Sequence, residues 1–269
     1  MSDPIRLSPS QISAWCACHY DWSLQYVQKR KRPAMGTIPK FGIILHNLLE
    51  DAVRCQILGE EYRPGRVEDY LDSILTTAEA AGEEMTEREA RGQLEHVLSH
   101  VEVFRAAYLP KLQPVAVEES WEWALEDEAG ACVVFVRGDL RDARGFWVDH
   151  KLKNKVPSDV STVPAVDLLE LQIQAAACPE TKDVVAQIYA KGGRKQAVIP
   201  LNLTGGRTPR YPDAQALRDE TARIVCGVAA GMRAGDDAPT GLWTERWGRQ
   251  TCYYCDWRKI GACKYAGGR

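Results

Sequence analysis

The chain has 269 residues, of which 45% are hydrophobic and 26% charged, with a formal net charge of −3. That content suits one large domain or two small ones with ample core, and it excludes a globally basic surface, so any nucleic-acid site must be a local patch. No stretch approaches the roughly 20 apolar residues of a membrane span, and the opening MSDPIRLSPS has no apolar signal-peptide core; a cytoplasmic protein with few disulfides is expected.

Ser8-Pro9-Ser10-Gln11 reads as a helix start: Ser8 can cap, Pro9 fits the first helical position, and Gln11 can close a capping box. The helix is expected to carry Ile12, Trp15, Cys16, Cys18 and His19, with Trp22 and Tyr26 further on. The run Lys29-Arg30-Lys31-Arg32 reads equally well as a solvated segment or as a phosphate contact. Residues 41–58 form a strong amphipathic helix in which Phe41, Ile44, Leu45, Leu48, Leu49, Ala52 and Val53 recur at helical spacing. His46 lies within it, four residues after Gly42. Two further helical stretches, 67–80 and 83–108, read as scaffold or lid.

Residues 115–125 alternate, with Val115, Val117, Trp121, Trp123 and Leu125 on one side of a half-buried strand. Next comes a hairpin, because CVVFV and FWV flank a polar turn at Arg144-Gly145. A three-residue loop of Ala143, Arg144 and Gly145, with glycine in the left-handed position, sets Asp142 opposite Phe146 and Asp139 opposite Asp149. Opposed side chains lie about 4.5–5.5 Å apart at Cβ, and Lys151 shares the face of Asp149. Two carboxylates so close resist joint ionisation without a cation. Mg²⁺ or Mn²⁺ suits such oxygen ligands and can activate water at a phosphate, while the lysine can hold the nucleophile or neutralise developing charge. Lys153 and Lys155 read as exposed charges or DNA contacts.

Residues 157–164 form a loop, 165–177 a short helix containing Gln172 and Gln174, 184–190 and 197–201 two strands, and 213–233 a last long helix. Strands with a helix interposed argue for a mixed α/β sheet core. The tail holds Cys252, Cys255 and Cys263 in a Cys-x2-Cys-x7-Cys array. Three thiols at that spacing in a reducing compartment point to zinc or iron–sulfur ligation, with Cys226 in the preceding helix, Cys16 and Cys18 as candidates for the remaining donor. Cys55, Cys132 and Cys178 read as core cysteines.

Taken together, these pieces resemble the PD-(D/E)XK nucleases of the RecB type, in the iron–sulfur branch with the AddB nuclease domain and the CRISPR-associated Cas-four exonucleases. Ser8 to Cys18 looks like the family's opening helix, Gly42-Ile-Ile-Leu-His46 its histidine motif, Gly138-Asp139 its second motif and Asp149-His150-Lys151 its Asp-x-Lys motif. Gln172 sits where the glutamine helix begins. The family tyrosine four residues on is Ala176 here, or Cys178 if Gln174 is the match, which leaves the substrate contact of this helix open.

The resemblance implies a restriction-endonuclease-like mixed sheet flanked by helices. Residues 1–110 would form an N-terminal helical region, 111–235 the nuclease core, and 236–269 a cluster-bearing tail packed on the first helix. It implies that His46, Asp139, Asp149 and the carbonyl of His150 bind Mg²⁺ or Mn²⁺. Lys151 would be the catalytic lysine, Gln172 would orient the site, and Cys18, Cys252, Cys255 and Cys263 would hold a 4Fe–4S cluster. The implied activity is an exonuclease on DNA, single-stranded and attacked from the 5′ end, in recombination, repair or CRISPR spacer acquisition. A homo-oligomer or proteins of those pathways are the implied partners. Two rivals stand beside it: a structure-specific endonuclease on the same core, and a non-catalytic DNA-binding or adaptor protein with a metal-stapled fold.

Overall fold

The structure, a computed structural model, describes residues 3–30, 37–178, 180–191, 193, 195–205, 209–235 and 263. The expected hairpin organises the sheet. Strand β3 (Gly130–Asp142) pairs antiparallel with β4 (Phe146–Lys153), and Asp142 faces Phe146 as the turn geometry predicts. Gly145 has φ +87°, in the left-handed region that glycine enters at little cost. One edge of β3 pairs along its length with β2 (Pro114–Asp127). The other edge is shared: β1 (Ile5–Leu7) runs parallel against residues 132–134, and β4 covers 140–142. Parallel β5 (Asp183–Ala190) and antiparallel β6 (Gln196–Pro200) extend the sheet beyond β4. The result is a mixed six-stranded α/β sheet flanked by helices.

Helix α1 (Pro9–Ala17) begins with the expected capping box between Ser8 and Gln11. It stops sooner than expected. Cys18 takes an extended backbone, and the chain restarts as the short α2 (His19–Trp22) and a wider turn over Ser23–Val27. Helix α3 (Ile38–Leu58) ends at Gly59 with φ +70°, and its seven predicted apolar residues are all buried. Helices α4 (Val67–Ala81) and α5 (Glu87–Val103) pack beside it. The expected helical stretch from residue 83 begins at Glu87 because Thr86 and Glu89 form a capping box. Helices α6 (Ala165–Ala177) and α7 (Ala214–Arg233) complete the set.

These helices build two cores. Residues of α3, α4 and α5 pack with Leu140, Val148 and Tyr189. Residues of α1, α6 and α7 pack with Trp123, Val134, Val136 and Trp147. Strand β2 takes part in both, which corrects the expectation of one apolar side. Val117 packs into the α3 core, whereas Trp121, Trp123 and Leu125 pack into the α6 core, and Val115 is exposed. Between them, Glu118 has φ +54°, a conformation that side chains with a β-carbon rarely adopt.

Candidate active site

Asp139 and Asp149 lie where β3 and β4 separate. The ladder between the strands ends at Leu140 and Val148. One step further, the Asp139 side chain replaces a backbone acceptor: its Oδ2 takes the His150 N–H at 2.7 Å. From α3, His46 sets Nδ1 3.4 Å from the same oxygen. The β2–β3 register sets Glu118 opposite Asp139, since Val117 faces Leu140 and Glu119 faces Gly138. One donor atom each from His46, Glu118 and Asp139 lie within 4.8 Å of one another, beside a narrow crevice that Glu50 and His150 also line. Glu118 is a residue that pattern reading misses. It sits in a strand among other glutamates, and only cross-strand register with a left-handed backbone turns it toward Asp139.

The second acid faces a different neighbourhood. Asp149 is buried. Its Oδ1 accepts from Gln174 Nε2 at 3.2 Å, and Lys151 Nζ lies 3.1 Å from its Oδ2. Lys151 also reaches Glu170 Oε2 at 3.4 Å. Gln172 is elsewhere: it turns to α7 and donates to Thr221 Oγ1 at 3.0 Å. The glutamine that touches an acid is therefore Gln174, a correction of two helical positions. Helix α6 is buried on both its sheet and its α7 sides, so its hydrophobic pattern does not say which glutamine faces the sheet. Ala176 is fully buried, and its carbonyl accepts from Arg218 at 2.8 Å. Lys153 is partly exposed yet paired; its Nζ lies 2.8 Å from Asp167 Oδ2. The His150 ring stands between Phe104 and His46, with Tyr189 Oη 3.2 Å from its Nδ1.

The electrostatics follow from this packing. Burial works to raise the Asp139 carboxyl, but the hydrogen bond and charge of His46 outweigh it and hold the group down at about 2. Burial lowers His46, yet its bond to Asp139 leaves it raised overall. Burial raises Asp149, Lys151 opposes that, and the Asp139 charge adds to it. Burial also raises Glu118, as does Asp139, with Arg137 pulling the other way. Burial and, behind it, the Asp139 charge hold Glu118 and Asp149 up, an effect that a nearby cation would ease. An imidazole nitrogen with carboxylate oxygens is a donor set that could hold a divalent cation. Lys151 is held protonated: burial opposes its charge, but Asp149 and Glu170 more than compensate.

Gly138 has a packing role. A β-carbon there would stand 2.5 Å from the Trp147 ring, whose indole Nε1 donates to Thr181 at 2.8 Å. Of the cysteines, Cys16 is buried in the α6 core, while Cys18 and Cys263 both pack against Tyr20 and Leu24. Cys252 and Cys255 lie outside the described residues.

A nuclease core is thus described by the sheet, the separating hairpin and the acids with their lysine. The family profile of the PD-(D/E)XK nuclease superfamily matches residues 6–262, and the chain belongs to that superfamily. Among solved structures, SSO0001 is similar with a TM-score of 0.41 at 10% identity, over 98% of this chain and 88% of that one. A protein from Eubacterium rectale, provisionally named an exonuclease, is similar with a TM-score of 0.47 at 13% identity, over 84% of this chain and 82% of that one. No curated protein matches the chain. No described helix is long and apolar enough to cross a membrane.

Proposed function

We propose that the protein is an Mg²⁺- or Mn²⁺-dependent DNA exonuclease that hydrolyses single strands, working from the 5′ end. The observation that carries this reading is the meeting of His46, Glu118 and Asp139, with Asp149 and Lys151 on the adjoining strand, in a chain of this superfamily. His46, Glu118, Asp139 and Asp149 would hold the metal, and the His150 carbonyl would add a further oxygen. When bound, the cation would neutralise the charge that grows on the phosphate and make a water more acidic.

Hydrolysis joins a water oxygen to phosphorus and breaks a phosphorus–oxygen bond, with a proton passing to the leaving oxygen. Because Lys151 stays an ammonium between two carboxylates, it would not take that proton. It would donate a hydrogen bond to the phosphate or to the attacking water as charge develops. Gln174 would hold Asp149 in place. Lys29, Arg30 and exposed aromatics such as Tyr26 suit a strand that stacks on rings and runs past cations. Recombination, repair and CRISPR spacer acquisition are the settings we propose for such an activity.

We also propose that Cys18, Cys252, Cys255 and Cys263 hold a 4Fe–4S cluster. Support comes from the shared packing of Cys18 and Cys263 and from the burial of Cys16 in the α6 core, outside that packing. Anaerobically purified protein should be brown and should carry iron and sulfide. Incubated with Mn²⁺, it should shorten end-labelled linear oligonucleotides and spare circular single strands. Cutting of the circles would make it an endonuclease. A loaded but inert protein that still binds DNA would favour the adaptor, and colourless protein with one zinc per chain would remove the cluster.

A further inference from the structure

We infer that Glu170 is a positioning residue for Lys151, one that fixes the lysine head where hydrolysis needs it; the inference rests on the nuclease reading of Lys151. Helix α6 presents Asp167, Glu170 and Gln174 at three- and four-residue intervals, hence on one face. Strand β4 presents Asp149, Lys151 and Lys153 at alternate positions, also on one face. The two rows meet in order. Asp167 lies 2.8 Å from Lys153, Glu170 lies 3.4 Å from Lys151, and Gln174 lies 3.2 Å from Asp149. Two strand residues rise about 6.6 Å, and three or four helical residues rise about 4.5–6 Å, so the rows keep step over three rungs.

This ladder solves a problem that Lys151 cannot solve alone. Its ammonium sits on a flexible four-carbon stem. Its other close carboxylate, Asp149, belongs to the proposed metal site, so a second anchor is needed outside that site. Glu170 is such an anchor, and it is itself held. Its Oε1 accepts from Ser13 Oγ at 2.7 Å, and Ser13 is buried on α1. One Glu170 oxygen thus meets α1 and the other meets Lys151, and neither belongs to the His46, Glu118 and Asp139 donor group. Glu170 therefore acts through the lysine and not on the metal.

Full-length protein should be assayed for Mn²⁺-dependent digestion of an end-labelled single-stranded oligonucleotide, with kcat and KM separated, in Glu170→Ala, Glu170→Gln, Lys151→Ala and the double variant Lys151→Ala/Glu170→Ala. Glu170→Ala should lower kcat by about 10- to 100-fold, the scale of a small misplacement of a reacting group. KM should stay within about twofold, and Glu170→Gln, which can still bridge Ser13 and Lys151, should recover most of the loss. The double variant should be no slower than Lys151→Ala, because the two losses share one cause. Acetylation of the Lys151 amine by acetic anhydride, followed by mass spectrometry, should be faster in Glu170→Ala and in Ser13→Ala than in the parent protein. Unchanged acetylation, or a double variant slower by the product of the two single losses, would overturn the inference. A slow Lys151→Ala beside a parent-like Glu170→Ala defeats Glu170 alone. A parent-like Lys151→Ala defeats the role of the lysine and its positioning with it.

Discussion

On the α3 side of the site, His46, Glu118 and Asp139 crowd two carboxylates and an imidazole into a space under 5 Å across, where burial and the Asp139 charge both raise Glu118. On the α6 side each charge already has a counter-charge: Lys151 with Asp149 and Glu170, Lys153 with Asp167. The first wall sets like charges against each other, with His46 and Arg137 as their partners; the second alternates carboxylates with lysines. The metal-dependent reading proposed above uses both: a cluster of like charges that a cation would ease, and a paired row that holds the lysine beside it.

The sharpest way to break this contrast is to remove an acid from the α3 wall. Asp139→Ala should lower Mn²⁺-dependent digestion by about 1000-fold, at the upper end of what a preorganised electrostatic group contributes. The circular dichroism spectrum should not change. A rate within about tenfold of the parent would sink the assignment of the α3 wall.

Buried histidines give the next effect. Burial holds His150 at about 4 and lowers His100 as well. Each is neutral in the fold and binds a proton more readily when unfolded, so their contribution is present above the unfolded value of about 6.5 and is lost as pH falls below it. For His150 alone the loss approaches about 3 kcal/mol by pH 4. His46 has the opposite sign: its raised value stabilises the metal-free protein below about 6.5 and fades as pH rises through the folded value. Melting scans of metal-free protein should therefore fall steeply from pH 7 to 4. A flat profile would count against burial of these rings.

Neutralising one acid on each wall sharpens the comparison further. Without metal, Glu118→Gln should leave the melting temperature level or slightly higher, because it relieves crowding and gives up only an ion pair to the largely exposed Arg137. Asp167→Asn should cost about 1–2 kcal/mol, since Lys153 loses its partner. Added Mn²⁺ should raise the melting temperature of Asp167→Asn as it does the parent, and raise that of Glu118→Gln less. Equal shifts in all three would separate Glu118 from the metal. The smallest effect concerns the two glutamines. Gln174→Ala should slow digestion by about tenfold, the loss of one charge-assisted hydrogen bond, while Gln172→Ala should lower stability with little effect on rate.

Much of this arrangement is legible in the sequence, and the limits are physical. The hairpin register follows from turn chemistry, and the α1 cap and the buried face of α3 follow from local spacing. His46, Asp139, Asp149 and Lys151 are legible because short motifs in a fixed order carry them. Glu118 depends on a partner strand and an unusual backbone, neither of which is written locally. The Asp167, Glu170 and Gln174 face could have been read from its spacing, but only with knowledge that α6 lies over β4. β1 has three residues, too few for alternation to show. The ion pair of Lys153 is hidden from the sequence for the same reason: its partner is fourteen residues away on another element.

Gly138 and Trp147 share one volume, since a β-carbon at the first would overlap the indole of the second. The two positions should therefore covary across relatives. Where a chain places alanine or serine ahead of its first acid, a smaller residue should stand at the site of the tryptophan, and its partner at Thr181 should lose its reason to carry a hydroxyl.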